Sequence, residues 1–347
     1  MPVRLASLMR ISCRNGSLGK GRAHLTYRAD LTRTARRFEL CDKTQGMQHL
    51  RWTQSFLWLL LASCAQQAPT VCNGSTENCQ RRFDQVTFAA THNAFSYASG
   101  GPVEYLFPNQ DRPISAQLAA GIRGLGIRPC PYYGDDPAER GRVYVTHNFD
   151  LRGKLGSEPL VDVLGEVRSF LEENPTEVVT LFAESAVTPA QIAATFTQAG
   201  LTPYLFTYDS ARGWPTLAQL IEAGTRLVVF NDSQEANRPA WQHYLWDHIV
   251  DTDYNITSAE QFSCEYYRGR PSNSLYFINQ FIYEARGEQI VLPSASNARL
   301  ANDPTFVTER ARRCWQQKSR IPNFIYVDWF GQGDVMSAVH ALNEMPR

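Results

Sequence analysis

From Arg82 onward the chain alternates short apolar runs with stretches long enough to hold helices, and this rhythm restricts it to a β/α architecture. The runs Val86–Ala90, Gly124–Arg128, Val143–Thr146, Glu177–Ala183, Arg226–Phe230, Leu275–Gln280 and Asn323–Trp329 read as strands. Ile114–Ala120, the run Leu160, Val163, Leu164, Val167, Phe170 and Leu171, Phe306–Lys318 and Val335–Asn343 read as helices; Asn174-Pro175 stops the second. His92, Arg128, His147, Glu184 and Asp328 each fall at or just past the C-terminal end of a different predicted strand. That end of a (β/α) barrel is where active sites are assembled, so the expected fold is a single-domain, somewhat irregular TIM-like (β/α) barrel over residues 82–347.

The residue types suit one chemistry. Two histidines can share acid–base work near neutral pH, one taking a proton from an attacking hydroxyl and the other giving one to a leaving oxygen. Arg128 offers a planar, permanently charged fork for a phosphate, and Asp328 can hold one imidazole in a fixed tautomer. Singly, each has a blander reading: a strand-end histidine is commonly structural, Arg128 can pair with Glu184, and Asp328 can cap a loop. No Cys-x-x-Cys or His-x-x-x-His spacing points to zinc.

Composition matters for the first 81 residues. Residues 1–63 carry 11 Lys/Arg against 3 Asp/Glu, while the rest of the chain holds 23 basic and 31 acidic groups. The acidic body lacks the bulk electrostatics of a nucleic-acid binder. The apolar run Phe56–Ala62 spans only about 10 Å as a helix against a bilayer core of ~30 Å, which fits the core of an export signal. Leu61-Ala-Ser-Cys64 reads as a bacterial lipobox, with Cys64 acylated; an ordinary secretory signal cleaved near the same place is the alternative. We therefore expect residues 1–46 to be untranslated or a processed leader, 47–63 a lipoprotein-type signal peptide and 64–81 a cysteine-containing segment. The expected location is the bacterial cell envelope or the medium, with the lipid anchor joining the protein to a membrane. Cys72 and Cys79 suggest a loop disulfide and Cys264 with Cys314 a second, leaving Cys130 free.

Ordered landmarks then accumulate: Phe83-Asp-Gln-Val-Thr-Phe-Ala-Ala-Thr-His92-Asn-Ala-Phe, Pro108-Asn-Gln110, Gln117-Leu-Ala-Ala-Gly-Ile-Arg123-Gly-Leu, Tyr144-Val-Thr-His147, Phe170-Leu-Glu-Glu-Asn-Pro-Thr-Glu-Val-Val179 and Pro322-Asn-Phe-Ile-Tyr-Val-Asp328-Trp-Phe-Gly-Gln-Gly-Asp334. Together they resemble the X domain of phosphatidylinositol-specific phospholipase C and its phosphodiesterase relatives, from about Cys72 to Asn343. The resemblance implies a TIM-like barrel that cleaves a phosphodiester in two steps through a cyclic inositol phosphate. It casts His92 as general base, His147 as general acid, Arg128 as the phosphate's cation and Asp328 as the partner of the base.

The resemblance also mixes two branches. Asn93 and Glu184 match metal ligands of calcium-using members, whereas Gly126 and Arg128 stand where those members place acids. Arg128 matches the metal-free branch, which carries Asp at the position of Asn93 to support the acid histidine. We expect no cofactor, with Ca²⁺ as the alternative, because a guanidinium and Ca²⁺ repel each other in one small pocket. Asn93 and Glu184 are then expected on the substrate side, and the substrate is expected to be a phospholipid or another phosphodiester. Two further readings stay open: a phosphodiesterase acting on a non-inositol substrate, and a lipid- or glycan-binding barrel without turnover.

Overall fold

The computed structural model describes residues 68–346, apart from 148, 150, 288 and 289. The expectations for the signal segment, Cys64 and the upstream leader lie outside the described residues. The described chain contains thirteen strands: β1 (Phe88–Thr91), β2 (Gly124–Ile127), β3 (Pro129–Pro131), β4 (Val143–Thr146), β5 (Ser157–Pro159), β6 (Val179–Ala183), β7 (Leu227–Asn231), β8 (Gln242–Tyr244), β9 (Ile249–Asp251), β10 (Leu275–Asn279), β11 (Glu284–Arg286), β12 (Ile290–Leu292) and β13 (Pro322–Val327). The helices are α1 (Ile114–Ala119), α2 (Leu160–Glu173), α3 (Pro189–Gln198), α4 (Leu217–Glu222), α5 (Leu245–His248), α6 (Ala295–Ala301), α7 (Pro304–Lys318) and α8 (Val335–Glu344). None of them is long and apolar enough to cross a membrane.

Eight strands form one parallel sheet in the order β8-β7-β6-β2-β1-β13-β10-β9. Read as a ring, this is the chain order of a (β/α) barrel, with a break between β8 and β9, where no ladder joins the described residues. Only the four residues of α5 separate those two strands, so the curled sheet stays open there.

Side chains alternate across a strand, and here the alternation sorts residues by shape. Ala89, Leu125, Leu181, Val229, Ile278, Ile325 and Val327 face outward into a layer shared with Leu118, Leu164, Phe196, Val339 and Leu342 of the helices. Phe88, Phe182, Phe230, Phe277, Phe324 and Tyr326 face the interior of the sheet. Phe182 meets Phe324 edge-on at 4.9 Å between ring centroids, and Phe277 packs on Tyr326 at 4.6 Å. Burying each ring contributes roughly 1.5–3 kcal/mol. The β2 residues on that face are glycines because the rings fill the space: a Cβ at Gly126 would lie 1.7 Å from the Tyr326 hydroxyl.

One expectation is corrected. Val143–Thr146 is no barrel strand; β4 pairs antiparallel with β3 and β5 in a separate three-stranded sheet. The fourteen residues between Arg128 and Val143 include three prolines and two glycines, which break a helical crossover, so the chain turns back as a hairpin. The short strands β8 and β9 and the helix α3 are additions to the sequence reading. Helix α3 opens on a capping box formed by Thr188 and Gln191, with Pro189 at its first position. Both expected disulfides are present, Cys72–Cys79 and Cys264–Cys314, and Cys130 is a buried free thiol.

Candidate active site

The C-terminal ends of β1 and β13 bring His92 and Asp328 together. The His92 backbone N–H continues the ladder to the Val327 carbonyl at 2.9 Å, which fixes where the imidazole leaves the sheet. Its Nδ1 lies 3.0 Å from Asp328 Oδ1, and its ring stacks on Phe281 with centroids 4.8 Å apart. Asp328 is almost fully buried, so its charge depends on donors. It has a second one in Asn109, whose Nδ2 lies 3.1 Å from the same Oδ1. Asn109 Oδ1 in turn accepts from Asn93 Nδ2 at 3.0 Å.

His147 and Arg128 stand on different supports. Arg128 follows β2 and His147 follows β4, and the Arg128 Nη1 donates to the His147 carbonyl at 2.6 Å. The Arg128 guanidinium lies over the Phe149 ring at 4.7 Å and approaches Glu184 Oε2 at 3.4 Å, an ion pair without the alignment of a hydrogen bond. Arg128 Nε and His147 Nδ1 are buried and have no hydrogen-bond partner among the described residues. Burial, with His92 and the Arg128 guanidinium close by, pushes the His147 imidazole down to about 4; a backbone contact with Phe107 offsets only part of this.

Beside these groups, at the open side of the sheet, lies a cavity of about 210 Å³ bounded by Asn93, Arg128, Glu184, Trp246, Asp251 and Arg268, among others. Arg268 donates to Asp251 through Nε at 3.0 Å and Nη2 at 2.5 Å, and its guanidinium stacks over Trp246 at 4.6 Å and Tyr254 at 4.5 Å. Burial raises the Asp251 carboxyl, against these donors, and it raises Asp232, which lines the same cavity, as well. A larger hollow of about 380 Å³ at the N-terminal end of the strands is lined by Thr87, Arg123 and His340, but Arg123 is already bound to Glu177 at 2.7 Å. Volume alone does not mark the chemistry.

The residue pattern therefore places His92 with Asp328, and Arg128 with His147 and Glu184. Asn109, Asp251, Arg268 and Trp246 went unassigned in the sequence reading. Asn109 sits in the Pro108-Asn-Gln110 landmark, which carries no chemical signal of its own. Asp251 ends a three-residue strand too short to read, and Arg268 comes from an irregular loop.

The donor set fits Ca²⁺ poorly. That ion takes six to eight oxygens. Here Glu184 faces the Arg128 guanidinium, and the Tyr326 hydroxyl fills the space that an acid at position 126 would need.

The chain matches the PI-PLC X family over residues 78–343. It belongs to that family. A PI-PLC X domain-containing protein 1 of Arthroderma benhamiae is 30% identical over 309 residues, covering 83% of this chain and 97% of the fungal one. A PI-PLC X domain-containing protein of Arabidopsis thaliana is 27% identical over 283 residues, and the match spans 76% of this chain but only 62% of the plant protein's length. An uncharacterised secreted protein of Arthroderma benhamiae is 27% identical over 292 residues, covering 77% and 62% of the two chains. Among solved structures, a phosphatidylinositol-specific phospholipase C of Staphylococcus aureus superposes with a TM-score of 0.52 at 15% identity, covering 77% of this chain and 95% of the bacterial one. The open barrel is thus the fold of this PI-PLC X chain, and its curated relatives above are plant and fungal.

Proposed function

We propose that this PI-PLC X chain is a phosphodiesterase that cleaves a polyol phosphodiester, with a phospholipid as the substrate class, by acid–base catalysis. The observation that carries the reading is the His92–Asp328 pair at 3.0 Å, on neighbouring barrel strands, with Arg128 and His147 close enough for their charges to act on one another.

Nδ1–H of His92 donates to Asp328, which leaves Nε2 unprotonated to accept the proton of a hydroxyl adjacent to the phosphoester. That oxygen forms a new bond to phosphorus as the bond to the leaving alcohol breaks, and His147 supplies the proton that the leaving oxygen needs. Arg128 holds two phosphate oxygens as charge builds on them. Burial first, and then the Arg128 charge, depress His147, so it holds its proton near neutral pH only when an anion offsets them; the bound phosphate itself arms the acid. The Asp251–Arg268 pair presents an acceptor and donors side by side, a match for neighbouring hydroxyls of a polyol, with Trp246 and Tyr254 framing it.

Export is part of the same reading, supported by a relative described as secreted. Acylation at Cys64 is its sharper form, and the mature N-terminus found by mass spectrometry tests it. The activity is tested by product analysis on a panel of phosphoinositides, glycerophosphodiesters and sphingolipids with and without chelator. A cyclic polyol phosphate released in the presence of chelator is the expected result. No turnover on any member overturns the reading, and turnover abolished by chelator and restored by Ca²⁺ overturns its metal-free form.

A further inference from the structure

The loop Pro108-Asn109-Gln110 lies across the ends of the two strands that carry His92 and Asp328. Gln110 Nε2 donates to the His92 carbonyl at 2.7 Å and to the Val327 carbonyl at 3.1 Å, while its Oε1 accepts from the Phe330 N–H at 3.2 Å. The Trp329 N–H donates to the Asn109 carbonyl at 2.6 Å, and the backbone N–H groups of Asn109 and Gln110 both reach the Ser96 carbonyl at 2.9 Å. The loop is thus tied on both sides of the catalytic pair, and Asn109 is fully buried inside it.

The direction of the amide chain follows from its end. A carboxylate can only accept, so the Asn109 nitrogen must face Asp328 and its oxygen must face Asn93, whose nitrogen donates. Asp328 Oδ1 then receives Asn109 and His92 together. Asn109 Nδ2 also lies 3.2 Å from His92 Nδ1. The carboxylate at 3.0 Å can only accept, so Nδ1 carries the proton toward it and the Asn109 amide, itself a donor, makes no bond to that ring nitrogen. Asn93 adopts a left-handed backbone, φ 43°, and its side chain points toward Asn109.

We propose that Asn109 is a positioning residue of the active site, which holds the Asp328 carboxylate in place and thereby keeps His92 in the Nδ1–H tautomer that frees Nε2 as the base. The proposal rests on the acid–base reading above for its kinetic consequence and on geometry alone for the tautomer. It also reverses the value of an acid at position 93. A carboxylate there would confront the Asn109 oxygen and favour rotation of that amide, turning its oxygen toward Asp328.

The test uses the full chain labelled with ¹⁵N at histidine, in the parent and in Asn109→Leu. In the parent, His92 is expected as a single Nδ1–H tautomer; in Asn109→Leu, as a mixture, with the signals of the remote His243 unchanged. A parent-like single tautomer in Asn109→Leu overturns the proposal, whatever the enzyme turns over. Where turnover is measurable, Asn109→Leu is expected to lower kcat at least tenfold with KM within about threefold. The same change in an Asp328→Asn background should cost less than twofold, because both act through one carboxylate. Equal costs in the two backgrounds overturn the proposal. If Asn109→Leu fails to fold, Asn93→Gly keeps the left-handed backbone and removes the amide behind Asn109. A mixed tautomer supports the relay, and an unmixed one overturns it.

Discussion

The two halves of the site are built on opposite plans. The base half, His92 with Asp328 and Asn109, sits on adjoining barrel strands and has a hydrogen-bond partner for each polar group that sets its geometry. The acid half joins His147, after the antiparallel strand β4, to Arg128, after barrel strand β2, and leaves His147 Nδ1 and Arg128 Nε buried without hydrogen-bond partners, the latter beside the Glu184 carboxylate. Burying polar groups unpaired costs free energy, of the order of 1–3 kcal/mol each. A saturated network is ready before substrate arrives. One with buried groups still lacking hydrogen bonds around the Arg128 guanidinium is completed by an anion, and a phosphodiester supplies both the charge and the acceptors. The contrast teaches that one side orients a proton in advance while the other is switched by what it binds.

The largest effects should come from removing either proton carrier. His92→Ala and His147→Ala are each expected to lose about 10²–10⁴-fold in kcat. Equal losses for the two are compatible with the comparison, but retention of wild-type rates by either variant breaks it. Arg128→Lys should follow at roughly 10²–10³-fold, since an ammonium cannot reproduce the fork that holds two phosphate oxygens; a smaller loss would mean that the cation acts only as a point charge.

The comparison is sharpened by titrating the free protein. His147 is held at about 4, and inorganic phosphate should raise that value while leaving the His92 tautomer fixed. A ligand that raises the imidazole takes up a proton, so phosphate should bind more tightly as pH falls toward 4. Histidine NMR with and without phosphate checks both signs, and an unmoved His147 titration would remove the anion from that half.

The smallest expected effect concerns the support of the acid half. Glu158 on β5 is buried against the Tyr105 hydroxyl at 2.7 Å, and burial raises its carboxyl to about 7. A raised carboxyl contributes stability below its unfolded value of 4.5 that is lost as pH rises through 7. Glu158→Gln should therefore stabilise the protein at pH 8 by up to about 3 kcal/mol and give no gain at pH 4.5. His147 and His243, both depressed to about 4 from 6.5, act in the opposite sense, with stability lost as pH falls through that interval. Denaturant unfolding of the variant at the two pH values separates the terms.

The sequence determined the β/α alternation, because apolar runs and helical periodicity are local. Six of the seven runs read as barrel strands lie in the parallel sheet, and His92, Arg128 and Asp328 follow three of those strands. Both disulfides were legible from cysteine spacing and context. The exception, β4, shows where local reading ends: a strand looks the same in sequence whether its partner lies parallel or antiparallel, and the connection before it, broken by three prolines, decides which.

Tertiary structure decided the rest. Asn109 is an ordinary amide until folding lays its loop across β1 and β13, and Asp251 and Arg268 pair across 17 residues of irregular chain. Gly126 departs in sequence from the acid of calcium-using members, but the reason for a glycine there is visible only when the Tyr326 hydroxyl, 200 residues later, is seen to fill its space. Chemical type is written residue by residue, but a hydrogen bond, an ion pair and an excluded volume belong to pairs. Those pairs form only when the sheet brings distant strand ends together.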